Sequence, residues 1–268
     1  MEQKTSQQRA AAKNRLQQLF ASDKKNLLSI YYTAGYPSLN DTLDIAVALE
    51  AAGADFLEIG FPYSDPVADG PVIQQSSKQA LDNGMTLALL FEQLRELRQK
   101  VGIPVLLMGY INVVLQYGVE AFCIACREVG IDGCIIPDLP LQEYETLYQH
   151  LFEENGISFI SLVSPQTSEV RIRQIDAASN AFIYLVSSAA TTGGTLDVTD
   201  GATRYFKRIQ DMGLSSPQMI GFGIAGRDSF EAACQYARGA IIGSAFVKSL
   251  EKGENLIPSV QAFMRRFK

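Results

Sequence analysis

The 268-residue chain predicts an α/β fold of the (β/α)8, or TIM, barrel class with an extra N-terminal helix. Three observations lead to this prediction. Short apolar runs alternate with amphipathic segments, the turns that lead into these runs are tight, and the loops that follow them are longer and rich in Gly, Pro, Asp and Thr. Because 47% of the residues are hydrophobic, we expect residues 1–268 to form one domain around a single large core.

The apolar runs are interpreted as strands of a parallel sheet. Strands that are covered on both faces are hydrophobic throughout, whereas strands with one solvent-exposed face alternate between apolar and polar residues. Each gap between the runs has room for one helix, which is the connection that parallel strands need. In chain order, the eight predicted strands are residues 27–33, 55–60, 104–109, 133–136, 157–163, 181–187, 218–221 and 240–243.

The intervening segments have the apolar spacing of amphipathic helices. Leu16, Leu19 and Phe20 have the same spacing and predict the additional helix near the N-terminus. Gly53, Gly130 and Gly239 are expected to end helices directly before a strand. The alternative fold, a doubly wound open sheet, lacks its usual glycine motif after the first strand. The eight predicted helices are residues 42–52, 86–100, 119–129, 142–153, 168–177, 203–212, 229–236 and 256–267.

Composition excludes several classes of function. A net charge of -6 without a basic stripe argues against nucleic-acid binding, and no uncharged apolar run is long enough to span a membrane. Four cysteines do not form a disulfide framework in a chain of this size, and Cys123 and Cys126 lie in a helical pattern that turns both inward. We therefore expect a reduced, cytoplasmic protein without a metal site. The single histidine, His150, lies on an amphipathic helix, which leaves acid-base chemistry to carboxylates and tyrosines.

The second predicted strand contains a carboxylate that has no evident structural use. Glu58 lies within an apolar run, and Asp65 and Asp69 follow in a turn rich in Pro and Gly. Burying an ionised carboxylate without a partner costs several kcal/mol or raises its pKa until it is neutral. This arrangement predicts an active site at the end of the strand. The alternative is that Glu58 is a core acid paired with a Lys or Arg.

Three glycine-containing segments follow the last three predicted strands, at residues 190–194, 221–226 and 243–245. Glycines there bring backbone N–H groups close to an anion, and Gly243 and Ser244 lead directly into a helix, whose N-terminal end favours negative charge. We expect a phosphate site, unless these are plain turn glycines. Because Arg227 is the only evident basic residue in the cluster, amides, hydroxyls and helix dipoles would hold the anion.

The chain is similar to the tryptophan synthase α subunit family over nearly its whole length. The most specific match is residues 57–71, Leu-Glu-Ile-Gly-Phe-Pro-Tyr-Ser-Asp-Pro-Val-Ala-Asp-Gly-Pro. Further matches are Tyr-Tyr-Thr-Ala-Gly at 31–35, Met-Gly-Tyr-Ile-Asn at 108–112, Ile-Pro-Asp-Leu-Pro at 136–140, Gly-Phe-Gly-Ile at 221–224 and Gly-Ser-Ala at 243–245. The resemblance implies a lyase of tryptophan biosynthesis that cleaves indole-3-glycerol phosphate into indole and glyceraldehyde 3-phosphate in a retro-aldol reaction.

The resemblance also implies roles for individual residues. Glu58 matches the general acid-base that transfers protons at the ring carbon and the glycerol hydroxyl, and Asp69 matches the carboxylate that accepts the indole N–H. Tyr184, on the sixth predicted strand, matches an active-site tyrosine, although it could be a core aromatic instead. No metal is implied. The implied substrate contacts are Tyr31, Met108 and Ile224 for the indole, and Thr192, Gly193, Gly223, Gly243 and Ser244 for the lid and the phosphate.

A partner is implied as well. The family passes indole to a β subunit that carries pyridoxal phosphate, in an α2β2 heterotetramer, while the α subunit itself holds no cofactor. We expect docking through the turn at 62–66, the 138–140 loop and the segment after Asn112, although Asp138 could serve as a strand-end cap. The chain departs from the family pattern at Ser188, Ala189 and Tyr36, which puts lid closure and partner communication in doubt.

Three other functions stay open at this point. The chain could be a stand-alone lyase that releases free indole, or a non-catalytic activating subunit that binds ligand without chemistry. The pair of Glu58 and Asp69 argues against the second. A phosphosugar isomerase with the same barrel fold would have a similar phosphate site, but it would have no reason to carry the turn at 62–71.

Overall fold

The computed structural model describes residues 13–186, 200–221, 223–250 and 255–267. Its strands are all parallel and form one sheet, with the order β5-β4-β3-β2-β1-β9-β8-β7-β6. The strands are β1 (Leu27–Thr33), β2 (Phe56–Gly60), β3 (Val105–Met108), β4 (Gly133–Ile135), β5 (Ser158–Phe159), β6 (Leu162–Val163), β7 (Ile183–Val186), β8 (Gln218–Gly221) and β9 (Gly239–Ile242).

One short segment closes this sheet into a barrel. β5 pairs with β4 and β6 pairs with β7, and only Ile160 and Ser161 separate the two strands in the chain. The backbone hydrogen bonds continue across this gap, since Ile160 N donates to Cys134 O at 2.9 Å and Tyr184 N donates to Ser161 O at 3.1 Å. The predicted fifth strand, 157–163, is therefore two strands that face different neighbours, and the (β/α)8 barrel prediction is confirmed.

The helices surround the sheet and include the predicted N-terminal one. The predicted helix at 86–100 contains a 3-10 turn at Leu94–Glu96, and the one at 142–153 contains a π-helical turn at Tyr144–Tyr148. A 3-10 turn at Arg265–Phe267 ends the described chain. The α-helices are α1 (Arg15–Ala21), α2 (Thr42–Ala51), α3 (Pro71–Asp82), α4 (Leu87–Gln93), α5 (Leu97–Lys100), α6 (Ile111–Tyr117), α7 (Val119–Val129), α8 (Leu141–Glu143), α9 (Gln149–Glu154), α10 (Glu169–Ala178), α11 (Asp200–Asp211), α12 (Arg227–Cys234), α13 (Ser244–Leu250) and α14 (Leu256–Met264).

Two of these helices, α3 and α6, were not predicted from the sequence, whereas α13 is the helix expected to follow Gly243 and Ser244. α3 starts at Pro71, a residue that suits the first turn of a helix because its missing N–H would be unpaired there anyway. α6 and α13 each begin within a residue or two of a strand end. All three therefore lie beside the loops at the carboxyl ends of strands, where barrel enzymes bind their ligands.

α1 closes the amino-terminal end of the barrel. Leu16 is fully buried, and the ring of Phe20 stacks on Phe182 at 4.8 Å and meets Phe56 edge-on at 5.9 Å. Asn14 caps the helix through Gln17 N and also donates to Asp132 O at 2.8 Å. Because apolar residues fill this end of the barrel, a ligand site is left to the opposite end.

Gly239 corrects one sequence expectation. Gly53 and Gly130 follow α2 and α7 with positive φ, as expected of glycines that end helices. Gly239 instead begins β9, and α12 has already ended at Cys234. A Cβ atom on Gly239 would collide with the backbone of Leu27. This glycine is therefore needed for the close approach of two strands and not for the end of a helix.

Other expectations from composition can be compared with the structure. Cys123 and Cys126 on α7 and Cys134 on β4 are buried free thiols. Burial raises the pKa of Cys123 to about 12, so it stays in the unreactive thiol form at neutral pH. His150 is exposed on α9. Within the described residues, no cluster of three or more metal-ligating side chains occurs, and no helix has both the length and the apolar character to cross a bilayer.

A buried ion pair joins four elements at the amino-terminal end. The carboxylate of Asp132 is 1% exposed and accepts from Arg98 at 2.6 Å, from Arg15 at 3.1 Å and from Val105 N at 3.0 Å. Arg98 also donates to the carbonyl oxygens of Gly130 and Ile103. Asp132 thus holds α1 and α5 against the starts of β3 and β4.

We predict that Asp132→Ala lowers the free energy of unfolding by about 3 kcal/mol, because it leaves the largely buried Arg98 guanidinium without its counter-ion. Urea denaturation at pH 7 measures this change. Asp82→Ala is the matched control, since Asp82 is 63% exposed and its ion pair with Lys78 lies within one helix. Equal losses in the two variants would contradict the structural role of Asp132.

Candidate active site

Glu58 lies at the centre of β2 and is buried inside the barrel. Its register partners are Tyr31 on β1 and Leu106 on β3, and its side chain is completely shielded from solvent. Neither carboxylate oxygen has a hydrogen-bond partner among the described residues. Burial raises the pKa of Glu58 to about 8, so the group is predominantly protonated at neutral pH. The alternative of a core acid paired with a base finds no support in the described part of the chain.

Asp69 lies in the turn between β2 and α3 and is half-buried. Its Oδ2 accepts a hydrogen bond of 2.9 Å from the hydroxyl of Tyr110. Burial raises the pKa of Asp69 to about 6, and the hydrogen bond from Tyr110 opposes that rise. At neutral pH Asp69 is therefore mainly ionised while Glu58 is mainly protonated. The shift at Asp69 is larger than a solvent-exposed loop carboxylate would show.

Tyr31 and Tyr184 enter the barrel from β1 and β7, and small residues on the neighbouring strands make room for them. A Cβ atom on Gly60 of β2 would collide with the hydroxyl of Tyr31, and one on Gly221 of β8 would collide with that of Tyr184. Burial, with contributions from Glu58 and Asp69, raises the pKa of both tyrosines. Both hydroxyls therefore remain protonated beside the two carboxyl groups.

A narrow cleft brings three of the predicted site residues together. It contains Asp69 and two of the three residues predicted to contact the indole, Tyr31 and Met108. The third, Ile224, is also buried and follows β8. The cleft has aromatic and apolar walls with one carboxylate, as a flat heteroaromatic ligand with an N–H group would require. Its other lining residues are Phe61, Tyr63, Pro66, Ser77, Gly109, Tyr110 and Pro137.

The predicted phosphate contacts lie partly within the described residues. Gly223 follows β8 with a φ of 75°, and Gly243 and Ser244 follow β9, which pairs with β8. Ser244 begins α13. Arg227 is engaged with Glu231 at 2.7 Å on α12. Thr192 and Gly193, together with the altered lid positions Ser188 and Ala189, lie outside the described residues.

Tyr110 is the site residue that sequence reasoning missed. It belongs to the Met-Gly-Tyr-Ile-Asn segment that carried part of the resemblance, yet it received no role. Its hydroxyl accepts from Ala68 N at 2.9 Å and donates to Asp69, and its ring stacks on Tyr63 at 5.2 Å. The available signal was position, because Tyr110 comes directly after the end of β3, at the mouth of the barrel.

The surfaces expected to meet a partner are connected to this site. Asn112 donates to the hydroxyl of Tyr63 at 3.0 Å, and Asp138 accepts from Ile111 N at 3.0 Å. Asp138 thus caps the start of α6, and it is exposed, as docking would require. Val67 and Leu115 are exposed apolar residues at the same end of the barrel.

The fold and the site define a (β/α)8-barrel enzyme that carries two carboxyl groups of different pKa, one on β2 and one in the turn that follows it. The particular family follows from comparison with known proteins. The family model described as "Tryptophan synthase alpha chain" matches residues 16–267. The chain belongs to this family.

Similar curated proteins carry the same description. The tryptophan synthase alpha chain of Flavobacterium psychrophilum is 56% identical over 94% of this chain and 98% of its own length, and that of Christiangramia forsetii is 54% identical over 95% and 98%. Among solved structures, tryptophan synthase of Mycobacterium tuberculosis matches with a TM-score of 0.85 at 30% identity over 95% of this chain and 97% of its own. The tryptophan synthase complex of Pyrococcus furiosus matches with a TM-score of 0.82 at 31% identity over 91% and 98%.

These relatives support the expected lyase of tryptophan biosynthesis and its barrel fold. They give no support to a stand-alone lyase that releases free indole, or to a non-catalytic activating subunit. The phosphosugar isomerase has no support either, since every relative named above is a tryptophan synthase.

The raised pKa of Glu58 predicts a pH-dependent cost to stability. Below about pH 4.5 the carboxyl group is protonated in both the folded and the unfolded chain; as pH rises towards 8, it ionises only in the unfolded chain, so the wild type loses stability. Glu58→Gln removes this loss. We expect the variant to be more stable than the wild type by on the order of 4 kcal/mol at pH 8 and nearly equal at pH 4.5.

Urea denaturation of both proteins across this pH range measures the difference. Glu120→Gln, on the exposed side of α7, controls for the general effect of removing one carboxylate. A difference between wild type and Glu58→Gln that does not change with pH would show that Glu58 is not buried as a neutral acid.

Proposed function

We propose that this chain cleaves indole-3-glycerol phosphate into indole and glyceraldehyde 3-phosphate by a retro-aldol reaction, with Glu58 and Asp69 as its catalytic residues. The observation that carries the proposal is the unequal pair of carboxyl groups, with pKa values of about 8 for Glu58 and about 6 for Asp69. Asp69 lines the aromatic cleft, and Glu58 is the register partner of Tyr31, which lines it as well. Two acids whose surroundings separate their pKa values can act as proton donor and as anion at one pH. Family membership supports the substrate.

Glu58 supplies and recovers the proton in this scheme. As a neutral acid, it delivers its proton to the indole ring carbon that bears the glycerol chain. The resulting carboxylate then takes the proton of the adjacent glycerol hydroxyl, the carbon–carbon bond breaks, and its electron pair restores the aromatic ring. The hydroxyl carbon becomes the aldehyde of glyceraldehyde 3-phosphate. Glu58 ends protonated, as it began, which matches its raised pKa.

Asp69 stabilises the charge that this transfer creates. Protonation of the ring carbon places positive charge on the indole nitrogen, and an ionised carboxylate that accepts the N–H offsets it in a partly desolvated cleft. Tyr184, whose hydroxyl lies against Gly221, acts beside Glu58 as a neutral hydrogen-bond donor. Tyr31, Met108 and Ile224 contact the indole in this proposal.

The phosphate end is proposed from the loops that follow β7, β8 and β9. Gly223, Gly243 and Ser244 would supply backbone N–H groups and a hydroxyl to the substrate phosphate, with Thr192 and Gly193 completing the site from residues outside the described part of the chain. The pairing of β8 with β9 supports this grouping, because it places two of the three loops side by side.

We further propose that a tryptophan synthase β subunit docks at the mouth of this barrel. The solved complexes of the family and the exposed Val67, Leu115 and Asp138 support such a surface. In the proposed α2β2 assembly the β subunit carries pyridoxal phosphate and consumes the indole, so this chain needs no cofactor of its own. Residues 1–268 would act as a single domain in the cytoplasm.

Glu58→Gln and Asp69→Asn are each predicted to lower kcat for indole formation by about 10² to 10⁴, the range that positioned acid-base groups contribute. The shape of each side chain is kept, so affinity for the non-reactive phosphate ligand glycerol 3-phosphate should stay within a few-fold. Indole release and ligand-induced shifts in Tm measure the two effects. Glu120→Gln and Asp82→Asn are exposed controls for the same chemical changes. Full activity in either site variant would remove that residue from the mechanism.

The docking proposal predicts that a tryptophan synthase β subunit accelerates cleavage by this chain, because contact at the barrel mouth orders the loop that carries Asp69. Steady-state rates of indole-3-glycerol phosphate cleavage, with and without added β subunit, give the comparison. Leu115→Lys should abolish most of the acceleration and leave the rate of the isolated chain unchanged, since Leu115 lies on the exposed face of α6. Equal rates with and without the β subunit would contradict this docking surface.

A further inference from the structure

Tyr110 contacts the turn that carries Asp69 at two consecutive residues. Its hydroxyl oxygen accepts from Ala68 N at 2.9 Å and donates to Asp69 Oδ2 at 2.9 Å. The two residues that meet here lie 41 positions apart in the chain. Gln74 also donates to the backbone oxygen of Asp69 at 2.9 Å, but that bond does not involve the carboxylate.

The direction of these hydrogen bonds follows from the chemistry of the donors. A backbone N–H can only donate, so the bond from Ala68 occupies an acceptor position of the Tyr110 oxygen. The single hydroxyl proton of Tyr110 is then directed at Asp69. An ionised carboxylate accepts this proton in a stronger hydrogen bond than a neutral carboxyl group does, so the contact favours the ionised form of Asp69.

The surroundings of Tyr110 favour this protonation state. Burial raises the pKa of Tyr110, and the charges of Asp69 and Asp138 raise it further, so its hydroxyl keeps its proton through the physiological range. The ring stacks on Tyr63 at 5.2 Å, which fixes the plane in which the hydroxyl lies.

We propose that Tyr110 is a positioning residue for the cleavage reaction, which holds Asp69 ionised and directed into the cleft through its hydroxyl group. This inference rests on the proposed function, because it assigns a second residue to the carboxylate that receives the indole N–H. Tyr110 acts through Asp69 and takes part in no bond-making step itself.

The other groups that face Asp69 do not reproduce this effect. Among the described residues, Tyr31 and Tyr184 interact with Asp69 through its charge, and Glu58 has the same two tyrosines as neighbours. Glu58 is neutral at pH 7 and adds little charge there. Tyr110 is the described side chain that gives the Asp69 carboxylate a hydrogen bond, and this bond holds the pKa of Asp69 below the value that burial alone would produce.

The test uses the full chain with Tyr110→Phe, which keeps the ring and removes the hydroxyl. Because ionised Asp69 is the active form, the acid limb of the kcat/KM profile for indole-3-glycerol phosphate should lie near pH 6 in the wild type. In Tyr110→Phe it should move upward by about one pH unit, since a hydrogen bond to a charged group is lost. Activity would then fall about fivefold at pH 6 and far less at pH 8.

Two further variants separate positioning from a general structural effect. In the Asp69→Asn background, Tyr110→Phe should cause no further loss of kcat/KM, because residues that act as a unit are not additive. Tyr117→Phe removes a hydroxyl at the far end of α6, where the ring packs on Phe91 at 5.4 Å, and it should leave the profile unchanged. An unshifted acid limb in Tyr110→Phe, or an equal loss at every pH, would overturn the inference.

An activity-independent measurement completes the experiment. Carbon-13 NMR titration of labelled aspartate carboxyl groups, with the Asp69 signal assigned by Asp69→Asn, should show its pKa rising by about one unit in Tyr110→Phe. If the wild-type chain cleaves no indole-3-glycerol phosphate but this shift occurs, the proposed function fails and the contact between Tyr110 and Asp69 stands. If cleavage occurs and the signal does not shift, only the role of Tyr110 fails.

Discussion

The burial of Glu58 without a hydrogen-bonding partner is the constraint around which the site is organised. A strand in the middle of a parallel barrel excludes water on all sides, and both neighbours of Glu58 in the sheet, Tyr31 and Leu106, present no base to it. The acid therefore stays neutral, at a cost to folding that no contact among the described residues repays. Asp69 is given the opposite state because it lies on a turn and receives a hydrogen bond. The barrel thus gives two carboxyl groups different protonation states through their different positions.

The sequence predicted the strands well because their physics is local. Residues 27–33 and 218–221 are strands with the predicted bounds, since a strand covered on both faces must be apolar throughout. The helices at the barrel mouth were harder to predict. α3 has a polar run around Gln74, and α6 begins so close to the end of β3 that its residues resemble a loop. The split of the fifth strand was also hidden, because pairing with two different neighbours leaves no mark on an apolar run.

The site shows the same division between local and distant information. Glu58 was evident because an acid inside an apolar run violates a local rule, and Asp69 was recognised from a long family motif. Tyr110 gives no such signal, because tyrosines commonly follow apolar strands. Its role depends on a contact with a residue 41 positions earlier, which is determined by the pairing of β2 with β3 in the folded sheet. The clearance that Gly60 and Gly221 give to Tyr31 and Tyr184 is likewise a property of register between strands.

The segment that joins β5 to β6 has a consequence for how the molecule opens. β1 is seven residues long and is paired on both sides, whereas β5 and β6 each contribute two residues and are each paired on one side. Fewer ladder bonds therefore hold the ring at this seam than anywhere near β1. Backbone amides around Ile160 should exchange with solvent through a partial opening that leaves the β1 region intact, since local stability follows the density of such bonds. The barrel is therefore expected to open first between β5 and β6.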